Sequence, residues 1–431
     1  MTKQLNILEL FAGVGGFRIG FENSDHELYQ TKWSNQWEPS RKSQDAFEVY
    51  NYRFPDSLNI NEDIEEIPDD TFRKMNADVI VGGFPCQDYS VARSKSGELG
   101  IQGKKGVLFW QIIRATEIIR PKFLVLENVD RLLKAPSSQR GRDFAVMLAA
   151  FDQLGYSVEW RVINAAEYGR AQRRRRVFFF VYRNDLPWAQ LIDKKYEQSN
   201  QNDLFGNEAV DPDRYYDYVF ANGLFARQFP IKPEPLNKRH KVGRLSEDIV
   251  KISEEYVEGK FWNTGIMRHG VYYSYDTEAV VEKPITLGEI LQPESEIDPK
   301  YYLNEDQIKK FEYMRGGKKI ERISADGHKY LYSEGSMSPY DSLDLPARTM
   351  LTSEGSLNRS THLVFINNRY RFLTPIEAER LQDFPDNWTK YKKAENGETY
   401  EVTNRMRLFF MGNALVTGIV KRIADELKNI I

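Results

Sequence analysis

The chain has 431 residues, 41% hydrophobic and 29% charged, with a formal net charge of −3. That is an ordinary globular composition, with room for two domains or one large domain carrying an insertion. No apolar run approaches the roughly 20 residues that span a bilayer, so no membrane partner is expected. A single cysteine, Cys86, excludes an internal disulfide and a cysteine-based zinc site. The five histidines have no ligand spacing, so no metal is expected.

Residues 5–10 read as a buried strand that runs into Phe11-Ala12-Gly13-Val14-Gly15-Gly16-Phe17 and then a helix through Glu22. A strand, glycine turn and helix N-terminus let a ligand approach the backbone and offer it free N–H groups. Alone the signal is weak, because the spacing only partly meets a dinucleotide pattern. A second strand, near 28–34, ends at Asn35-Gln36-Trp37-Glu38. In doubly wound sheets this point meets an adenosine ribose, usually through an acid. Gln36 stands there, and Trp37 either stacks on adenine or belongs to the core. A helix over 40–50 and the polar turn Asn61-Glu62-Asp63-Ile64 follow.

The strand over 77–81 delivers Gly82-Gly83-Phe84-Pro85-Cys86. A lone cysteine is usually a small buried hydrophobe. At the carboxyl end of a buried strand in an open α/β sheet it reads instead as a nucleophile. Residues 88–105 are polar and contain three glycines, as an active-site lid would. A helix over 107–119 precedes a strand over 123–126, which brings Glu127 to the same sheet edge. A helix over 142–154 and a strand over 156–164 lead to Gln172 and the run Arg173–Arg176, before a strand over 177–182. Those arginines cannot all be buried unpaired. From 185 to about 368 the chain is tyrosine-rich and irregular, and 190–256 yields no clear pattern. A helix over 374–383, a turn at 395–398 and a helix over 414–427 return to the first unit. The expected division is 1–184, 185–368 and 369–431.

A thiolate beside a carboxylic acid and basic groups suits conjugate addition to an electron-poor ring, with the acid at a ring nitrogen. At this point the residues resemble a known family, the DNA (cytosine-5) methyltransferases. The matching stretches are Phe11–Phe17, Gly83-Phe84-Pro85-Cys86-Gln87, Glu127-Asn128-Val129 and Gln172-x-Arg174-x-Arg176. Two more follow in the family's order: Leu373-Thr374-Pro375-x-Glu377-x-x-Arg380-Leu381-Gln382-x-Phe384-Pro385, then Gly412-Asn413-Ala414. Together they cover roughly the first 185 and last 60 residues.

The resemblance implies a Rossmann-like α/β methyltransferase domain, mostly parallel, with a smaller irregular β-rich target-recognition domain. It implies S-adenosyl-L-methionine as cofactor and double-stranded DNA as substrate. Cys86 would attack C6 of a flipped-out cytosine. Glu127 would hold N3 and the exocyclic amine, Arg176 O2, and Arg174 the neighbouring backbone. Phe11, Gly13, Val14, Gly16, Gln36, Trp37, Asp63, Ile64, Gly83, Pro85, Leu108, Asn413 and Ala414 would form the cofactor pocket. Gln87, Ser90, Gln172, Thr349 and Met350 would touch DNA. Gln36 replaces the family's ribose-binding acid, with Glu38 available to compensate, and Phe410 stands where glutamine is frequent. The stretches around Cys86, Glu127 and Phe409–Val416 are most similar to the bacterial CG-methylating branch, implying a CG-containing target. A cytoplasmic monomer within a restriction-modification system, with a separate cognate endonuclease, is the matching expectation. The competing readings are the tRNA-methylating branch, which carries a second cysteine that this chain lacks, and a non-catalytic DNA-binding relative. A nicotinamide oxidoreductase fits the glycine turn but leaves Cys86 and Glu127 unexplained.

Overall fold

The computed structural model describes residues 4–39, 41–85, 108–196, 211–324 and 327–431. Ten strands form one sheet: β1 Leu5–Leu10, β2 Tyr29–Asn35, β3 Leu58–Ile60, β4 Val79–Gly83, β5 Phe123–Asn128, β6 Tyr156–Asn164, β7 Arg175–Arg183, β8 His240–Arg244, β9 Thr264–Arg268 and β10 Val271–Tyr275. Their spatial order is β3-β2-β1-β4-β5-β7-β6-β9-β10-β8. The strands from β3 to β5 are parallel, and every later pairing is antiparallel. Strands β7, β9 and β8 therefore run against the rest of a mostly parallel sheet.

Continuous apolar runs in the central strands divide by alternation. Leu8, Ile80, Leu124 and Leu126 face one core, which contains helices α4 Leu108–Ile119 and α5 Arg142–Gln153, introduced after α1 Gly16–Asp25, α2 Asp45–Arg53 and α3 Asp69–Lys74. Ile7, Val79, Val81, Phe123 and Val125 face the other, with Phe17 and Phe21 of α1 and Ile419, Val420 and Ile423 of the C-terminal helix Thr417–Leu427. Gly20 permits that contact, since a Cβ there would lie 2.5 Å from Val420 Cγ1.

The expected boundaries at 185 and 368 do not follow the sheet. Strand β9 pairs with β6, so residues 240–275 extend the first unit rather than leave it. β9 and β10 are buried along their whole length, including Tyr272, Tyr273 and Tyr275, which removes the alternation that would have marked them as strands. The 368 boundary falls inside the hairpin of Leu363–Ile366 with Arg369–Phe372. The helix expected over 414–427 begins only at Thr417, and Met411-Gly412-Asn413 end a separate helix, Asn404–Asn413. The helix expected over 40–50 begins only at Asp45.

Candidate active site

The glycine turn leaves β1 with Phe11 at φ 54°, Gly13 at φ 54° and Gly15 at φ 92°. This left-handed path is cheap for glycine and costs a side chain about 1 kcal/mol. The Gly13 N–H donates to Gln36 Oε1 at 2.8 Å, and the Ala12 N–H to the Asn35 carbonyl at 3.1 Å. Gln36 thus braces the turn from the end of β2. Trp37, immediately beyond, remains 38% exposed, so the core reading of this residue is not met. Glu38 is ion-paired to Arg41 at 2.8 Å through Oε2. Asp63 opens the next turn by accepting from the Glu65 N–H at 3.1 Å, and Ile64 is buried beside it. Val14 is buried, and its carbonyl accepts from the Trp388 indole at 2.8 Å. Gly16 abuts Leu415, where a Cβ would lie 3.3 Å from Cδ1. Leu108 and Ala414 are half-buried and Asn413 is exposed.

Cys86, Gln87 and Ser90, and the expected lid over 88–105, lie outside the described residues. The chain up to Pro85, and the strand beside it, are described. In the parallel register Gly83 lies opposite Glu127. A Cβ on Gly83 would sit 3.1 Å from Glu127 Oε2, so the glycine makes room for the carboxylate. The Asn128 amide donates to the Phe84 carbonyl at 3.0 Å, which fixes the chain one residue before the exposed Pro85. From β7, Arg176 Nε donates to Glu127 Oε1 at 2.8 Å. Burial raises the Glu127 pKa above the usual carboxylate range, while Arg176 and Arg174 pull it back. The result is a carboxyl that can hold or release a proton beside a guanidinium, on the strand next to β4.

Three expected DNA-facing residues turn inward. Arg174 is buried, donating to the carbonyls of Met350 at 3.2 Å, Gly412 at 3.1 Å and Asn413 at 3.4 Å. Burial lowers its pKa to about 9, Arg176 adds to the effect and Glu127 opposes it. Gln172 is fully buried, accepting from the Met350 N–H at 2.9 Å and donating to the Leu381 carbonyl at 3.2 Å. Met350 is itself in the core. These side chains lock the Ala347–Met350 segment and the 412–413 helix end against β7. Thr349 is half-buried, and its hydroxyl donates to the Arg173 carbonyl at 2.6 Å. Arg175 pairs with Asp130 at 3.3 Å. Phe410, standing where glutamine was expected, fills the core.

A family model described as C-5 cytosine-specific DNA methylase matches residues 5–429. The chain belongs to this family. Within it, the type II methyltransferase M.Sau3AI of Staphylococcus aureus is 52% identical over 428 residues, covering 99% of this chain and 96% of that protein. The type II methyltransferase M.NgoBV of Neisseria gonorrhoeae is 31% identical, covering 99% of each. M.HhaI of Haemophilus parahaemolyticus is 32% identical but matches only 42% of this chain. Among solved structures, the S. pombe Dnmt2 methyltransferase superposes with a TM-score of 0.56 at 14% identity, each chain covered to 99%. That likeness shows the fold alone.

Two residues that the sequence pattern does not single out tie the neighbouring elements together. Glu9 is fully buried on β1 and accepts from the Tyr50 hydroxyl at 2.8 Å and from the Arg18 N–H of α1 at 3.4 Å. A charged residue inside the apolar run Leu5–Leu10 was the available signal. Asn128, one residue past Glu127, was visible only as part of a motif.

Proposed function

We propose that this DNA (cytosine-5) methyltransferase acts through Cys86, Glu127 and Arg176 on a cytosine rotated out of the duplex. The observation that carries the reading is the 2.8 Å Glu127–Arg176 pair, set beside the Gly83-Phe84-Pro85 turn that leads into Cys86. The Cys86 thiolate adds to C6, and the electron pair displaced toward N3 is met by a proton from the Glu127 carboxyl. Arg176 contacts the O2 edge and keeps Glu127 oriented. S-adenosyl-L-methionine, when bound, supplies the methyl group that C5 accepts. Loss of the C5 proton then expels the Cys86 thiolate, and the N3 proton returns to the Glu127 carboxylate, which restores the ring.

The residues at the end of β1 and β2 fit that cofactor. An indole left open at Trp37, a left-handed turn at Gly13 and a braced Gln36 form a surface that a nucleoside can lie against. Gln36 uses its oxygen on Gly13, so its amide N–H groups are what remain for a hydroxyl. Phe11, Asp63, Ile64, Leu108 and Asn413 complete the proposed pocket, and Gly83, Pro85 and Ala414 border it.

The resemblance of the catalytic stretches to the CG branch supports a CG-containing target. The identity with M.Sau3AI, which continues through 185–368, supports a target shared with that relative. A role in a type II restriction-modification system with a cognate endonuclease follows the same relatives. Expression in a host lacking cytosine methylation, with bisulfite mapping, reads activity and target together; methylation outside CG would discard the CG expectation. A duplex carrying 5-fluorocytosine at the mapped position should form a denaturation-resistant adduct only when S-adenosylmethionine is present. Adduct formation by Cys86→Ala would overturn the mechanism.

A further inference from the structure

A carboxylic acid that the proposed chemistry leaves unused lies beneath the glycine turn. Glu9, in β1, is fully buried, and its carboxyl accepts from the Tyr50 hydroxyl of α2 and the Arg18 N–H of α1. Arg18 is the third residue of α1, and Gly15 before that helix has no side chain with which to cap it. Glu9 thus satisfies one of the orphan N–H groups from within the sheet and joins three elements that meet at the turn.

The charged and titratable groups facing Glu9 are Tyr50, Arg18 and Glu22. Arg18 is engaged elsewhere as well. It pairs with Glu22 at 2.6 Å, donates to the Ser57 hydroxyl at 2.8 Å and lies 3.8 Å from the Phe54 ring centroid. On the flanking strands Glu9 stands opposite the uncharged Ser34 and Val81. Burial raises its pKa to about 7, against the Tyr50 hydrogen bond and Arg18, so the group changes charge near neutral pH. Phe11, on the turn, is two strand residues beyond Glu9, about 7 Å along the chain. A ligand charge lying against the turn is therefore on the order of 10 Å from this carboxyl. At an effective dielectric of about 20, a charge at that separation changes affinity on the order of tenfold.

We propose that Glu9 is a specificity-determining residue whose buried negative charge favours S-adenosylmethionine over S-adenosylhomocysteine. The inference rests on the cofactor reading above. The two ligands differ by one methyl group and one positive charge, the donor being a sulfonium and the product a thioether. Gln36, at the end of β2, is neutral and contributes no charge to that distinction. Glu9 is out of reach of the ligand and acts through the interior rather than by contact. Reciprocity fixes the sign: a cationic ligand favours the ionised carboxyl, and the ionised carboxyl favours that ligand by the same factor. A tenfold coupling is one pKa unit, so the preference for the donor grows between about pH 6 and 7. Methyl transfer removes the charge, and the same group then holds the product less firmly than the donor.

The test measures calorimetric dissociation constants of both ligands on the full chain across about pH 5 to 8. In the wild type, the ratio of the product constant to the donor constant should rise about tenfold over that range. Glu9→Gln keeps an acceptor for Tyr50, and in it the ratio should stay at its low-pH value. That variant retains Glu38, Asp63 and Glu127, so a rise caused by those carboxyls, or by the ligands' own amino groups, survives in it. A second variant, Tyr50→Phe, removes a hydroxyl that favours the ionised carboxyl and should move the rise to higher pH. No rise in the wild type, or an equal rise in Glu9→Gln, would overturn the proposal. If Glu9→Gln does not fold, an unmoved midpoint in Tyr50→Phe overturns it instead. A wild-type chain that binds neither ligand sinks the cofactor reading itself, so the two failures are distinct.

Discussion

Glu9 is a single residue whose burial sets a cost on the whole glycine turn. It lies inside the sheet, and desolvation raises its pKa to about 7, against the help of the Tyr50 hydroxyl and Arg18. Because the folded pKa lies above the unfolded one, the folded chain binds the extra proton between about pH 4.5 and 7. Stability from this group is therefore full below that window and falls as pH rises through it. The loss at pH 8 is about 3 kcal/mol for the shift involved. Glu159, also buried and raised to about 7 under its own desolvation, contributes a parallel slope. Glu9→Gln keeps an acceptor for Tyr50 and removes the charge. Thermal unfolding of this variant should differ from wild type by several degrees more at pH 8 than at pH 5, in the variant's favour. A pH-independent difference would show that Glu9 does not titrate in this window. The same residue marks a limit of sequence reading: the apolar run around it was legible as a strand, but the Tyr50 hydroxyl that makes a buried glutamate tolerable comes from 41 residues away.

At the scale of elements, the family motif around Thr374 is a folding device rather than a piece of the chemistry. Thr374 caps the helix Pro375–Leu381, and Glu377 completes the capping box. Glu377 does more than cap. It is fully buried, receives Arg371 at 2.9 Å through both guanidinium ends, and accepts from the Gln292 N–H at 2.9 Å. Thr374→Ala should cost about 1 kcal/mol, the usual worth of a cap. Glu377→Gln removes one of the two carboxylates that neutralise the buried Arg371, leaving only Glu294 at 2.8 Å, and should cost more than the cap, about 3 kcal/mol. Denaturant unfolding of the two variants would distinguish a cap from a hub; equal losses would refute the distinction. Arg174 and Gln172 follow the same pattern, since their motif was readable but their inward direction was not. Their partners, the carbonyls of Met350, Gly412, Asn413 and Leu381, are backbone atoms from remote segments, and no side-chain pattern announces them. Glu127 and Arg176 were legible because the strand ends that carry them follow short-range pattern, and the antiparallel pairing of β5 with β7 brings the two together.

Across the whole molecule, the division of labour differs from the one that composition suggests. The tyrosine-rich segment is not one appended domain. Its strands β8–β10 close the edge of β6, where Trp160 is buried and its indole donates to the Trp262 carbonyl at 3.0 Å. Arg161, buried beside it, is satisfied by Thr264, Phe229 and Val219, all from that segment. The hairpin over 318–334 is the opposite case, since its faces are largely exposed and its ends meet at Gly317 and Gly335. A Cβ on Gly317 would lie 3.7 Å from the Glu334 carbonyl, so a short joint can close the gap. Excising 318–334 should leave a soluble chain that melts within about 2 °C of wild type and retains S-adenosylhomocysteine binding, because little apolar surface is uncovered. Excising 240–275 should yield insoluble protein, since it leaves Trp160 uncovered, Arg161 without its Thr264 partner and a long apolar strand as a free edge. Soluble expression and melting of the two deletions decide the matter: a soluble, cofactor-binding product of the second would mean that the first unit folds without β8–β10, and that the boundary belongs near 185 after all.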